Sequence, residues 1–254
     1  MNALAVSNLR KSFGGHVAVS DVSFEVAAGE MLALIGPNGA GKTTCFNMVG
    51  GQIRPDAGRI AVAGSGNEIA GWTPRAVWRR GVGRTFQITA TFASMTVCQN
   101  VQMALIARHG RVWRFWARAE RMYEDEARGL LDQVGLGDQA GRAAGVLAYG
   151  DLKRLELAMA LASTPRLLLM DEPTAGMASR ERVALMTLVR RLASGGGIAV
   201  LFTEHDMDVV FDVADRVLVL DRGAMIAAGT GPEIRAHPEV RAIYLGTGKT
   251  SGGH

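Results

Sequence analysis

The segment Gly36-Pro37-Asn38-Gly39-Ala40-Gly41-Lys42-Thr43 constrains this chain more than any other. It fits the pattern Gly-x4-Gly-Lys-[Ser/Thr] and stands in the context that pattern needs. The apolar run Met31–Ile35 before it has the continuity of a strand buried on both faces. The stretch from Lys42 to Gly50 after it has the character of a helix. Glycines in such a loop let backbone N–H groups turn inward around phosphate oxygens, and the helix N-terminus adds the positive end of its dipole. Lys42 then reaches the terminal phosphates, and the Thr43 hydroxyl is placed for a phosphate-bound cation. A plain turn has no need of Lys-Thr here. The later Gly246-Thr247-Gly248-Lys249-Thr250 echoes the loop but lacks its spacing and flanking elements, so it is assigned to a frayed tail.

Other segments extend this strand–loop–helix unit into an α/β pattern. Residues 3–9 and 17–26 are strand-like, the second through Val17, Val19, Val22, Phe24 and Val26. A short strand is expected over Arg59–Ala63. From about residue 72 to 145 strand character is scarce, with a helical turn at Pro74–Arg80 and helical periodicity over Val97–Arg108 and Trp116–Val134. The aromatic and basic stretch Gly110–Phe115 is expected to connect two helices, with Trp113 and Phe115 packed inward. After residue 150 the spacing predicts helix Asp151–Ser163, strand Arg166–Met170, helix Ser179–Ala193, strand Ile198–Thr203 and helix Asp206–Val213. A hairpin follows about Arg222-Gly223. Alternating strands and helices imply a largely parallel sheet covered by helices.

Two strand ends add chemistry. Leu167–Glu172 is an apolar strand ending in Asp171-Glu172, and ligands of open parallel sheets bind beyond the carboxyl ends of strands. Asp171 is therefore expected beside the metal, and Glu172 to polarise an attacking water. His205 ends the apolar strand before it in the same way and is expected on the same rim, near the terminal phosphate. Composition fits a globular protein: of 254 residues 48% are apolar and 20% charged, with a net charge of +4. The excess of arginine is spread along the chain and forms no nucleic-acid arm. Cys45 and Cys98 are too few for a disulfide framework and suit a reducing compartment. No basic leader opens the sequence, and no apolar run approaches the ~20 residues that span a bilayer.

Taken in order, these motifs resemble the ATP-binding subunits of ABC transporters over nearly the whole chain. The resemblance implies an α/β P-loop NTPase core with a mainly parallel sheet, an N-terminal antiparallel β part and an inserted helical lobe. One ABC ATPase domain would span residues 1–246, with 1–87 and 147–246 as the nucleotide-binding core, 88–146 as the lobe and 247–254 as a flexible tail. ATP and Mg²⁺ are the implied cofactors. Phe13 stands where the family stacks adenine, and Gly36 to Thr43 with Thr44 where it binds the phosphates. Gln87 falls at the glutamine that senses Mg²⁺ and the membrane partner, so Thr43, Gln87 and Asp171 are the implied metal residues. Lys42, Gln87, Glu172 and His205 are the implied catalytic set.

Arg84-Thr85-Phe86-Gln87, Ala214–Leu220 and Glu239–Gly246 further resemble the importer ATPases for branched-chain and other hydrophobic amino acids. That likeness implies two transmembrane permeases, a paralogous second ATPase (or a second copy of this chain), and, indirectly, a periplasmic binding protein. It implies a peripheral place on the cytoplasmic side of the membrane and no nucleic-acid partner. Related systems for urea, amides or aromatic acids share these features. A soluble ABC ATPase is disfavoured by the single module and the absence of sustained heptads, and a GTPase by the absence of Asn-Lys-x-Asp.

The chain departs from the family twice. Its signature reads Leu147-Ala148-Tyr149-Gly150-Asp151, where the family has Leu-Ser-Gly-Gly-Gln and closes on ATP held by the opposite subunit. Ala148 has no hydroxyl to donate, a loss of about 1.5–3 kcal/mol for a bond to a charged group. Asp151 sets a carboxylate near a polyanion. Ala178 stands where the family has Asp or Asn, which puts communication between two sites in doubt.

Overall fold

The computed structural model describes residues 2–63, 68–85, 91–109 and 122–246, the side chains of 244–246 excepted. Gln87, Trp113, Phe115 and the tail from 247 lie outside them. Strands β1 (Asn2–Phe13), β2 (His16–Ala27) and β4 (Ala57–Val62) form an antiparallel sheet in the order β2-β1-β4. Both strands run past the expected ranges, and their pairing contains a bulge. Asn8 and Asp21 adopt left-handed φ of 51° and 57°, and Asn8 Nδ2 donates to Asp21 Oδ1 at 2.7 Å. The bulge accounts for the three-residue step from Val19 to Val22 that broke the alternation.

The second sheet has the order β5-β6-β7-β3-β8-β9, with β3 (Met31–Ile35), β5 (Val82–Thr85), β6 (Leu167–Asp171), β7 (Ala199–Thr203), β8 (Arg216–Asp221) and β9 (Ala224–Gly229). All neighbours pair in parallel except β8 and β9, whose hairpin turns at Arg222-Gly223 with both residues at positive φ. Strand β5 corrects the sequence expectation for residues 72–145. Val82-Gly83-Arg84-Thr85 lacks an apolar run, and its strand form is imposed by register with Leu167–Met170.

Side chains of this sheet alternate between two cores. Leu32, Leu34, Leu167, Leu169 and Leu201 face the antiparallel sheet and helix α1 (Lys42–Val49). Ala33, Leu168, Met170, Val200 and Phe202 face the helices on the other side. Those helices include α5 (Tyr149–Leu161), α6 (Ser179–Gly196) and α7 (Met207–Val213), while α2 (Pro74–Arg79) is capped by Thr73 before β5. Helices α3 (Val97–His109) and α4 (Glu124–Gln133) pack on each other and on α5. Of the helix expected over Trp116–Val134, residues 116–121 lie outside the described residues; α4 starts at Glu124, after Tyr123 at φ 60°. Two terminal helices, α8 (Gly231–Ala236) and α9 (Pro238–Gly246), follow a Thr230–Glu233 capping box.

Candidate active site at the carboxyl rim of the parallel sheet

The phosphate-loop candidate leaves β3, the carboxylates leave β6 and the histidine leaves β7. Parallel pairing sets all three strand ends on one rim. The loop is pressed from behind by two backbones. A Cβ on Gly36 would lie 2.1 Å from the Leu220 carbonyl oxygen, and one on Gly41 would lie 2.3 Å from that of Ala18. Gly36, Gly39 and Gly41 all have positive φ, at 152°, 81° and 98°. The turn of the β8–β9 hairpin holds the loop too, Gly223 N–H donating to Ala40 at 3.0 Å. Glycine is thus required twice by close approach, which leaves the open side of the loop for a ligand. Pro37, Asn38, Ala40, Thr43 and Thr44 complete the segment, Thr43 being exposed at the first turn of α1.

Lys42 folds onto its own loop, donating to the Gly36 carbonyl at 2.7 Å and that of Pro37 at 3.0 Å. Burial lowers the pKa of its ammonium, against the opposing pull of Glu172 and Asp171. The loop lysine thus lies within the field of the two carboxylates. Asp171 is held by its neighbour in register: Thr203 Oγ1 donates to Asp171 Oδ1 at 2.7 Å and accepts from Glu172 N–H at 3.1 Å. On its other side Arg84 lies 3.6 Å from Asp171 Oδ2 and donates to Asn47 of α1 at 2.9 Å. Glu172 has a left-handed φ of 47°, a conformation that costs a non-glycine residue about 1 kcal/mol or more. Its Oε1 meets His205 Nε2 at 2.7 Å.

Two residues that the sequence expectation did not single out bind this rim together. Glu204 is 5% exposed and uses one oxygen for both the N–H (2.9 Å) and the hydroxyl (2.6 Å) of Thr174. Its second oxygen accepts from His205 N–H at 3.2 Å. The carboxylate before the histidine therefore fixes the start of the 174–178 loop. In sequence it resembles a solvated acid at a strand end. A signal for Thr203 was present, as a hydroxyl closing an otherwise apolar strand.

Phe13 is 47% exposed at the β1–β2 turn, with Lys11 Nζ 5.4 Å from its ring centre. The signature segment forms the start of α5, with Ala148 as a cap lacking a side-chain bond. Leu147 and Gly150 are buried while Ala148 and Tyr149 are exposed. Among the described residues, no hydrogen bond or ion pair joins the segment to Lys42, Asp171 or His205. It meets the 174–178 loop instead, Tyr149 Oη donating to the Ala175 carbonyl at 3.2 Å. Asp151 accepts from Gln139 Nε2 at 2.8 Å, which spends part of its hydrogen-bonding capacity within the chain.

Comparison with known proteins agrees with this geometry. Residues 19–175 match the family model for ABC transporters, and residues 224–250 that for branched-chain amino acid ATP-binding cassette transporters. A high-affinity branched-chain amino acid transport ATP-binding protein, BraF of Pseudomonas aeruginosa, is 40% identical over 96% of this chain and 97% of its own. LivG of Salmonella typhimurium, described in the same words, is 38% identical with the same coverage. A solved ATP-binding cassette of an ABC transporter, in its ADP conformation, superposes with a TM-score of 0.86 at 30% identity, covering 97% of this chain and 99% of that one. The chain belongs to the ATP-binding cassette family of ABC transporters, whose members hydrolyse ATP to power transport.

Proposed function

We propose that this chain energises an importer of branched-chain or other hydrophobic amino acids, and that the rim built by Lys42, Asp171, Glu172 and His205 is its hydrolytic centre. The observation that carries the reading is the Glu172–His205 contact beside a lysine-bearing loop that glycine alone allows. Glu172 polarises a water for in-line attack on the γ-phosphorus and accepts its proton, and His205 holds that carboxylate in register. Lys42 exchanges its loop carbonyls for phosphate oxygens and neutralises their charge. The Thr43 hydroxyl and Asp171 carboxylate are hard oxygen donors that would hold Mg²⁺. When bound, Mg²⁺ supplies charge neutralisation to the phosphate oxygens. Gln87, as third metal residue, rests on the motif alone, and Phe13 as the adenine platform rests on its exposure and position.

Exposure of Ala148 and Tyr149 at the start of α5 supports a dimer in which Leu147–Asp151 meets ATP on an opposing ATPase. Backbone donors at Gly150 and the helix end remain there for phosphate despite Ala148 and Asp151. An apolar groove among Val77, Trp78, Arg84, Ala104 and Met159, where α2, β5, α3 and α5 come together, supports docking of a permease. Arg84 Nη1 in its wall is buried and has no acceptor among the described residues. No described helix is long and apolar enough to cross a membrane, which agrees with a peripheral subunit on the cytoplasmic face that borrows its partners' spans. Amino acids as the solute follow from the relatives' printed names and from the carboxyl-terminal match.

Affinity purification from native membranes tests this reading. Two permeases and a second ATPase are expected with the chain under gentle extraction, and their binding protein is expected to be stabilised by leucine, isoleucine or valine. Recovery of the chain without any membrane protein would overturn the importer, and stabilisation by another solute class would overturn its substrate.

A further inference from the structure

Four arginines that stand far apart in sequence meet in one cleft. Arg79 ends α2 and Arg80 caps it, Arg108 lies in the last turn of α3, and Arg166 stands just before β6. Trp78, Gly81, Ser163 and Thr164 complete the lining, and no described carboxylate contributes to it. The cleft opens at the amino ends of β5 and β6, the edge of the parallel sheet opposite the phosphate loop. It is therefore separate from the hydrolytic rim.

The guanidinium groups are held in place but not used up. Arg80 stacks on Trp72 at 5.1 Å, Arg166 donates one bond to the Ala63 carbonyl at 2.7 Å, and Arg108 donates one to that of Ala162 at 3.3 Å. Each such contact spends at most one of five N–H donors. Arg79 makes no described hydrogen bond or ion pair. Among the described residues Glu126 offers one of these arginines a counter-charge, its Oε1 lying 3.7 Å from Arg108. Gathering four cations around a concavity raises their mutual repulsion, and a bound anion relieves it. Planar, multiply donating guanidinium groups match phosphate oxygens best.

We propose that this cleft is a phosphate-recognition site, taking either the headgroup phosphates of an anionic bilayer surface or a soluble phosphate. Trp78 lines both the cleft and the apolar groove, so the site adjoins the surface assigned above to the permease. The bilayer as source rests on that assignment; the anion site does not. The experiment below contains no permease, so its outcome is distinct from that of the importer reading.

The full chain, with its nucleotide site filled by ADP, is floated with phosphatidylglycerol–phosphatidylcholine vesicles and with phosphatidylcholine alone. In a second arm it is titrated with inorganic phosphate by calorimetry. Saturable binding is expected in one arm, weakened about fivefold by Arg79→Gln and about twentyfold by Arg79→Gln with Arg108→Gln. Arg241→Gln, the same charge change on exposed α9, is expected to leave it unaltered. Unchanged ADP affinity certifies each variant's fold, and Arg80→Gln replaces any that fails. Binding to anionic vesicles alone identifies the headgroup, and binding of phosphate alone identifies the soluble ligand. Binding in neither arm, or an equal loss in Arg241→Gln, overturns the site.

Discussion

At Gly36 a single hydrogen faces the Leu220 carbonyl oxygen where any other residue would place carbon at 2.1 Å. The motif pattern identifies this glycine, but the backbone that excludes a side chain lies 184 residues away and is invisible to it. Gly36→Ala is expected to cost at least about 2 kcal/mol and to weaken nucleotide binding, read by thermal melting with and without ADP. A variant of unchanged Tm would remove the close approach from the account. Glu172 shows the complementary case. Its place after an apolar strand was legible, whereas its left-handed backbone and its contact with His205 required the fold. Thr203 was missed because its value lies in facing Asp171 across two paired strands.

Among the elements, strand ends carry the proposed chemistry and one carboxylate ties two of them together. Glu204 offers both oxygens to three donors, so Glu204→Gln turns an amide N–H₂ toward an N–H or hydroxyl donor, at about 1–3 kcal/mol. The expected kinetic result is a kcat lowered about tenfold with the ATP KM little changed, because the 174–178 loop and His205 shift while the phosphate loop does not. An unchanged kcat would leave the clamp purely structural. A similar local device joins β1 to the turn before β4. Lys11 Nζ donates to Asp56 Oδ1 at 2.7 Å and Ser12 N–H to Oδ2 at 2.8 Å, and these bonds hold the Asp56 carboxyl below the usual aspartate range. Since the folded pKa is the lower one, the stabilisation is present above the ordinary value and is lost as pH falls through the folded one. Asp56→Asn should therefore flatten part of the acid limb of a Tm–pH profile and leave the alkaline limb unchanged. Strong periodicity and turn residues made α1, α6, β7 and the β8–β9 hairpin legible. Strand β5 was not, because four residues of mixed character become a strand only through their neighbour.

For the whole molecule, the parallel sheet separates two cores, and each contains one thiol. Cys45 lies behind the phosphate loop in the core shared with the antiparallel sheet, and burial pushes its thiol up to about 12. Cys98 lies at the start of α3 in the helical core, also raised by burial. Neither is expected to react with a thiol reagent at pH 8 on the timescale of minutes, and both should react in denaturant. Under mild destabilisation Cys98, at 7% exposure against none for Cys45, should label first. Simultaneous labelling would mean that the two cores open as one. The alternating α/β pattern of the molecule was legible in sequence, but the convergence of Arg79, Arg80, Arg108 and Arg166 was not. The same arginines are dispersed along the chain and gathered only by its folding.

The central claim is that this rim hydrolyses ATP through Glu172, and steady-state turnover by the native transporter complex tests it most directly. Glu172→Gln keeps the size and hydrogen-bonding reach of the side chain but removes the charge that polarises water. Its turnover should fall by at least about a hundredfold while Mg-ATP affinity is retained. Turnover near the wild-type rate would contradict the account and move the water-activating group elsewhere on the rim.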